Sequence, residues 1–277
     1  MANPDPDASS RADGPAQGVD APAQPHPDAP ADAPVTPGTV AQLLLTEVVL
    51  APSTGELVEI ANPGTAAIDL STYYLSDSGN YFRLPASVPT VDSGDFIARF
   101  PPGATIAPGA VITVALDTAA NFTTAYGAAP TYALSGGTMM TIVANGVPSL
   151  TNTGEPMVLF QWDGASDLVH DVDIVLAGIP TTANALTSKS GVTVDGPDAD
   201  ATATAYATDA RTLAAQAATP ASGKSTKRIA RETGHEVQTG GGNGISGDDE
   251  TSEDTAATWD ATYTAPPPGT VPTGLLP

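Results

Sequence analysis

Residues 43–84, LLLTEVVLAPSTGELVEIANPGTAAIDLSTYYLSDSGNYFRL, restrict the chain to a series of short strands joined by tight turns. Gln42 to Leu50 and Leu57 to Ala61 are rich in Leu and β-branched residues, which suit a pleated, half-buried surface. Between them Ala51-Pro52-Ser53-Thr54-Gly55 breaks pairing and reverses the chain. Asn62-Pro63-Gly64-Thr65 is a second turn, with Asn at its first position, Pro fixing φ next and Gly tolerating positive φ after it. Ile68 to Leu70, Tyr73 to Leu75 and Tyr81 to Leu84 are then short strands, the last preceded by the turn Ser76-Asp77-Ser78-Gly79-Asn80.

Strand-like runs recur at Ala110 to Leu116, Met139 to Ala144, Met157 to Trp162, Leu168 to Leu176 and Thr226 to Arg231, most of them separated by Gly, Pro, Asn or Asp. Regularly spaced short strands of this kind indicate an all-β sandwich. Two segments depart from the pattern. Asn121 to Gly127 is a short turn or helix with Phe122 and Tyr126 on one face, closing the end of the core. Ala203 to Ala217 lies in an Ala/Thr-rich insertion, and its helix propensity predicts one helix, about 200–218, with Tyr206, Ala210, Leu213 and Ala217 along a narrow stripe.

The order of the first pieces resembles the lamin tail domain family of bacterial type. Its "I-N-E" start corresponds to Leu45-Thr46-Glu47, its "W-V-E-L-x-N" to Leu57-Val58-Glu59-Ile60-Ala61-Asn62, and its "x-D-L-S-G-W-x-L-S-D" to Ile68-Asp69-Leu70-Ser71-Thr72-Tyr73-Tyr74-Leu75-Ser76-Asp77. The family's "L-x-P-G" before a strand is matched by Ile106-Ala107-Pro108-Gly109, and its "P-T-P-G" ending by Pro266-Pro267-Pro268-Gly269. Thr46, Leu57 and Thr72-Tyr73 replace the family's Asn, Trp and Gly-Trp. The resemblance implies an immunoglobulin-like antiparallel β-sandwich over residues 39–277, usually extracellular or envelope-bound in bacteria, often beside hydrolase domains, and without catalytic residues of its own.

The chain carries 31 Asp plus Glu against nine Lys plus Arg, a net charge of −22, so nucleic-acid backbone and anionic membrane would be repelled. There is no Cys, which excludes disulfides and thiolate metal sites. No apolar run approaches the roughly 20 residues that cross a bilayer. Residues 1–38, nearly all Ala, Pro, Asp, Gly, Ser and Gln, are too polar and Pro-rich to bury anything and read as a disordered, charge-stiffened tether. A stalk ahead of a domain of usually exported type predicts a precursor with an export signal, with a lipid anchor as an option. A plain disordered cytoplasmic tail is the alternative.

Two acidic groups are candidates for calcium: Asp195, Asp198 and Asp200 in one Gly/Pro loop, and Asp248, Asp249 and Glu250 within a Gly/acid-rich loop, about 233–256. Hard cations take six to eight oxygen ligands, and neither loop has the spacing of an EF-hand, so solvated acidic loops are the plainer explanation. Lys224, Lys227, Arg228 and Arg231 concentrate the basic residues on one late strand. They either pair with Asp and Glu on neighbouring strands or form a docking patch for a protein or an anionic surface glycan. Trp259 and Tyr263 predict a last edge strand, with Pro after it discouraging further pairing.

Catalytic motifs do not survive their structural requirements. Ala218 to Ser225 fits a loose P-loop pattern, but an Ala-rich helix precedes it and a β-like run follows, the reverse of what phosphate binding needs. Gly242-Asn243-Gly244-Ile245-Ser246-Gly247 fits G-x-G-x-x-G in what reads as a flexible surface loop. His170 stands beside Asp171 and Asp173 with no nucleophile motif. Glu47 and Glu59 could sit on adjacent strands as a carboxylate pair for glycosidic chemistry, but they match the family pattern and are expected to accept hydrogen bonds from turn N–H groups. The expectation is a non-enzymatic, exported binding or structural module; an exported hydrolase or its accessory domain, calcium-dependent or not, is the alternative.

Overall fold

One of the two sheets, built on Tyr73–Ser76, Phe96–Arg99 and Gly154–Gln161, is apolar on both faces, which is why runs such as Met157 to Phe160 read as unbroken hydrophobic stretches. The computed structural model describes residues 43–178, 188–208, 217–231, 242–251, 255–264 and 268–276. In chain order the strands are β1 (Leu44–Val49), β2 (Leu57–Ala61), β3 (Ile68–Asp69), β4 (Tyr73–Ser76), β5 (Phe96–Arg99), β6 (Thr105–Ile106), β7 (Val111–Ala115), β8 (Tyr132–Ala133), β9 (Met140–Ala144), β10 (Gly154–Gln161), β11 (His170–Gly178), β12 (Thr193–Val194), β13 (Thr204–Ala205), β14 (Lys224–Arg228) and β15 (Trp259–Thr264). Helix α1 (Ala119–Tyr126) lies between β7 and β8.

The strands form a six-stranded sheet ordered β15-β14-β1-β2-β7-β8 and a five-stranded sheet ordered β11-β10-β4-β5-β9, with two small ribbons, β12-β13 and β3-β6. Among the described residues these strands pair antiparallel, except β7 with β8. This is an all-β, immunoglobulin-like sandwich, with β15 as the outermost strand of its sheet.

Alternation along the strands divides the interior into layers. Val58, Ile60, Leu75, Phe96, Ala98, Leu159 and Val175 meet between the two sheets. Their neighbours Tyr74, Ile97, Val158, Phe160 and Ile174 face the other way, under Tyr81, Phe82, Leu84, Val194 and Tyr206. The five-stranded sheet is therefore covered by connecting segments on its second face. A smaller apolar group, Val49, Leu57, Ala115 and Ala133, lies outside the six-stranded sheet beneath Phe122 of α1. Thr118 caps that helix by accepting from the Asn121 N–H (3.2 Å), and Gly127 ends it at φ +75°.

Two expectations change. Tyr81–Arg83 is a 3-10 turn, not a strand, with the Ser78 and Asn80 carbonyls accepting from Tyr81 and Arg83. The tight turn lets successive rings, Tyr81 and Phe82, both reach the interior edge to face at 5.7 Å, whereas a strand would send them to opposite sides. The helix expected over Ala203–Ala217 is absent from the described residues of that stretch: Thr204–Ala205 is β13 and Ala217 bridges Ala177, while residues 209–216 lie outside the described residues. Tyr206 explains the preference, because its hydroxyl donates to the Phe82 carbonyl (2.7 Å) and accepts from the Val169 N–H (3.0 Å), anchoring the segment extended across the sheet. The tether expected over 1–38 also lies outside the described residues.

Candidate metal centre and buried ion pairs

The basic run Lys224–Arg231 divides: Lys227 and Arg228 point into the protein, while Lys224 is half-buried and Arg231 is exposed. Lys227 and Arg228 are 2% and 0% exposed. Lys224 donates to Thr264 (2.7 Å) and Arg231 to the Leu275 carbonyl (2.7 Å). Burying a charge is tolerable only with a partner and hydrogen bonds. Lys227 has these outside the six-stranded sheet, where Nζ is 2.9 Å from Glu47 Oε2, 3.9 Å from Glu59 Oε2 and 3.4 Å from the Thr270 hydroxyl.

Arg228 points between the sheets. Its Nη2 donates to both oxygens of Asp173 on β11 (2.8 and 2.7 Å), and its Nε donates to the Leu45 carbonyl (2.7 Å). Asp173 also accepts from the Leu45 N–H (2.6 Å). Leu45 needs both partners because the β1–β2 register shifts between Leu45 and Glu47, and β1 pairs with β14 at Glu47 and Val48. The ion pair thus stands in for missing strand pairing and ties three strands across both sheets. The indole of Trp259 lies against the guanidinium, 5.0 Å from its centre. On the second face of β11, Asp171 accepts from Lys189 (2.5 Å) and from the Tyr81 hydroxyl (2.6 Å).

Glu47 and Glu59 are directly opposite on β1 and β2, both buried, so the expected pair exists but has no exposure to a sugar chain. Glu59 accepts from the Gly269 N–H of the C-terminal segment. Burial, reinforced by the neighbouring Glu47, pushes the Glu59 carboxyl up to about 8. A carboxyl whose pKa is higher folded than unfolded adds stability in full below its unfolded value, and that stability is lost as pH rises through the folded value. Glu59→Gln keeps an oxygen for Gly269 and removes the proton. Its unfolding free energy is expected to fall less between pH 5 and pH 8.5 than that of the wild type, by up to one proton's worth of slope, as urea titrations at several pH values would read.

The candidate acidic loops behave differently from each other. Asp195 and Asp198 come together with Asp167, each with one carboxylate oxygen within 4.8 Å of the others. Asp167 is engaged by the Gly196 N–H (2.7 Å) and by Thr204, while Asp198 and Asp200 accept locally from Asp200 and Thr202 N–H groups. Asp200 is therefore a turn residue. Asp248, Asp249 and Glu250 are buried instead of solvated, and Asp249 accepts from Thr251 through both its N–H and its hydroxyl. The glycine-rich stretch beside them is packed, since a Cβ at Gly242 would fall 2.0 Å from the Asp248 carbonyl and Asn243 holds Ala207 through both backbone groups.

A third group of carboxylates went unread in the sequence. Asp77 directly follows β4, Asp95 directly precedes β5 and Glu155 is the second residue of β10. Because β10, β4 and β5 are neighbours, all three reach the same end of the sheet, and each has an oxygen within 4.8 Å of the others. Asp77 Oδ1 accepts from the Phe96 N–H (2.7 Å), while its Oδ2 is buried without a hydrogen-bond partner. Glu155 accepts from the Thr151 N–H (3.3 Å). Glu56, entering from the other sheet just before β2, accepts from the Leu150 N–H (3.0 Å) and faces Glu155 and Asp117 electrostatically. Burial first, then mutual repulsion, pushes Glu56 and Glu155 up to about 7 and Asp95 to about 6, and raises Asp77 well above the ordinary carboxylate range. The signal available beforehand was an acid next to a Gly turn at each strand end: Asp77-Ser-Gly, Ser-Gly-Asp95 and Thr-Gly-Glu155 share only that feature.

No helix among the described residues is long and apolar enough to cross a membrane. The family model described as Lamin Tail Domain matches residues 36–260. No curated protein matches the chain. Among solved structures it is similar to the crystal structure of a DUF4876 family protein from Bacteroides thetaiotaomicron VPI-5482, at 13% sequence identity and a TM-score of 0.41, over 85% of this chain and 75% of that one. With the family model spanning most of the chain, and with Glu47, Glu59 and Asp77 at their places on β1, β2 and the end of β4, this protein belongs to the lamin tail domain family.

Proposed function

We propose that the protein is a non-catalytic binding or structural module, exported and displayed at the cell envelope on the Ala/Pro/Asp-rich segment 1–38. The observation that carries this reading is the way its chemistry-bearing residues are used. Lys189, Lys227, Arg228, Asp171 and Asp173 are buried in ion pairs that hold strands together instead of converging on an accessible cleft. The lamin tail match begins at residue 36, close to the end of the low-complexity composition, which supports a domain distinct in sequence from that segment. The composition of 1–38, rich in Pro and Asp, is that of a spacer, which suits presentation away from a surface.

Fractionation of the native host, with protease added to intact cells, tests the reading. Recovery in the envelope or medium, with trimming of the tether while the sandwich survives, is the expected outcome. Recovery in the cytoplasm, protected until lysis, would overturn it.

A further inference from the structure

We propose that Asp77, Asp95 and Glu155 form a calcium site that clamps the ends of β4, β5 and β10, with Glu56 as the acid behind it. The site differs from the two loops that the sequence suggests for calcium, and it stands whether or not the protein is exported. Three observations carry it. First, the oxygens lie within 4.8 Å of one another. Two ligands on opposite sides of a calcium ion, each about 2.3–2.6 Å away, are at most about 5 Å apart, so one coordination sphere spans them. Second, Asp77 is 1% exposed and its Oδ2 has no hydrogen-bond partner, although buried carboxylate oxygens otherwise find one. Third, among the described residues the buried ion pairs are made by Lys189, Lys227 and Arg228, and none of these reaches the cluster.

Like charges gathered at a sheet end destabilise it unless something opposes them. The polar contacts present are backbone N–H groups, Phe96 and Asp77 itself to Asp77, Asp92 to Asp95, Thr151 to Glu155 and Leu150 to Glu56, together with the Ser78 and Thr151 hydroxyls beside Asp95 and Glu155. These orient the carboxylates and leave further oxygen lone pairs free. An all-oxygen donor set in a chain without Cys selects a hard cation. Calcium suits it better than magnesium, which demands near-ideal octahedral geometry and gives up its waters reluctantly. Half-exposed Asp95 leaves a side through which the ion enters and water completes the shell.

The test is thermal unfolding of the chelator-treated full chain at pH 8, followed by titration with calcium chloride and by calorimetry for stoichiometry. A ligand that binds only the native state raises the midpoint by mass action, so a rise of about 5–10 °C is expected at 100 times Kd. Asp77→Asn and, as a milder change at the half-exposed position, Asp95→Asn are expected to abolish the rise. Asp95→Asn should melt at least as high as the wild type in chelator, because it removes repulsion without removing bulk. Asp195→Asn combined with Asp198→Asn should leave the calcium response unchanged. Absence of a midpoint shift at 10 mM calcium, or a full response retained in both Asp77→Asn and Asp95→Asn, would overturn the proposal. An equal response to magnesium would overturn the assignment to calcium.

Discussion

Arg228→Ala is expected to lower the unfolding free energy by about 3–5 kcal/mol, since removing one partner of a buried ion pair leaves the other charge uncompensated. Asp173 would then face only backbone N–H groups, those of Leu45 and Ile174, with no cation, and the Leu45 carbonyl would lose the guanidinium Nε. A urea titration followed by tryptophan fluorescence reads the change directly, because Trp259 lies on Arg228. The paired replacement Arg228→Met with Asp173→Leu separates charge from scaffold. In many proteins such an apolar swap is neutral or stabilising. Here it would leave both backbone groups of Leu45 without their partners in the bulge, so the double variant should remain destabilised by about 1–3 kcal/mol. Full recovery in the double variant would show that the pair balances only itself and does not replace strand pairing.

The Arg228 site also explains what could be read in advance and what could not. The strands β2, β4, β7, β9, β10, β11 and β14 follow from β-branched runs bounded by Gly, Pro and Asn, and they fall within a few residues of their expected ends. Thr226 to Arg231 was legible as a basic strand, two to three residues from the observed Lys224–Arg228, but not as a buried one, because charge in a sequence is ordinarily a sign of solvent. Its burial depends on Asp173 and Glu47, which reach it only through strand order. Of the two-residue strands, β3 lies within the expected Ile68 to Leu70, while β6, β8, β12 and β13 carry no period to detect. Around Tyr206, alanine-rich helix propensity lost to one hydroxyl with two backbone partners.

The carboxylate cluster was hidden for a related reason. Asp77 could be seen as the end of a family motif and as a turn residue, yet its meeting with Asp95 and Glu155 depends on β4 lying between β5 and β10. Spacing along the chain encodes EF-hand loops because all their ligands come from one segment. A site assembled from three strand ends has no such spacing. The loops that looked most acidic, around Asp200 and Asp249, were the ones whose carboxylates are occupied by their own turns.

Phe160→Ala is the second substitution with a large expected effect, and it tests whether the outer layer over the five-stranded sheet is a true core. Phe160 is fully buried on β10, stacked on Tyr74 with ring centres 5.0 Å apart and tilted against Tyr81 at 5.1 Å. The rings that cover it come from the turn at Tyr81–Arg83 and from Tyr206, which reaches Phe82 edge to face. Deleting a buried Phe side chain removes its transfer free energy and leaves a cavity, about 3–5 kcal/mol together. For a domain of this size that is a fall in Tm of about 10 °C. The site has little room to collapse, because Tyr74 is held by pairing to β5 and β10 and Tyr81 by its hydrogen bond to Asp171. Near-ultraviolet circular dichroism should lose intensity at the same time, since Tyr74 and Tyr81 both lose a packed neighbour. A cost below about 1 kcal/mol would mean that the layer yields around the cavity; in that case the segments over the second face are a loose cover, and the stability of this sandwich resides between its sheets.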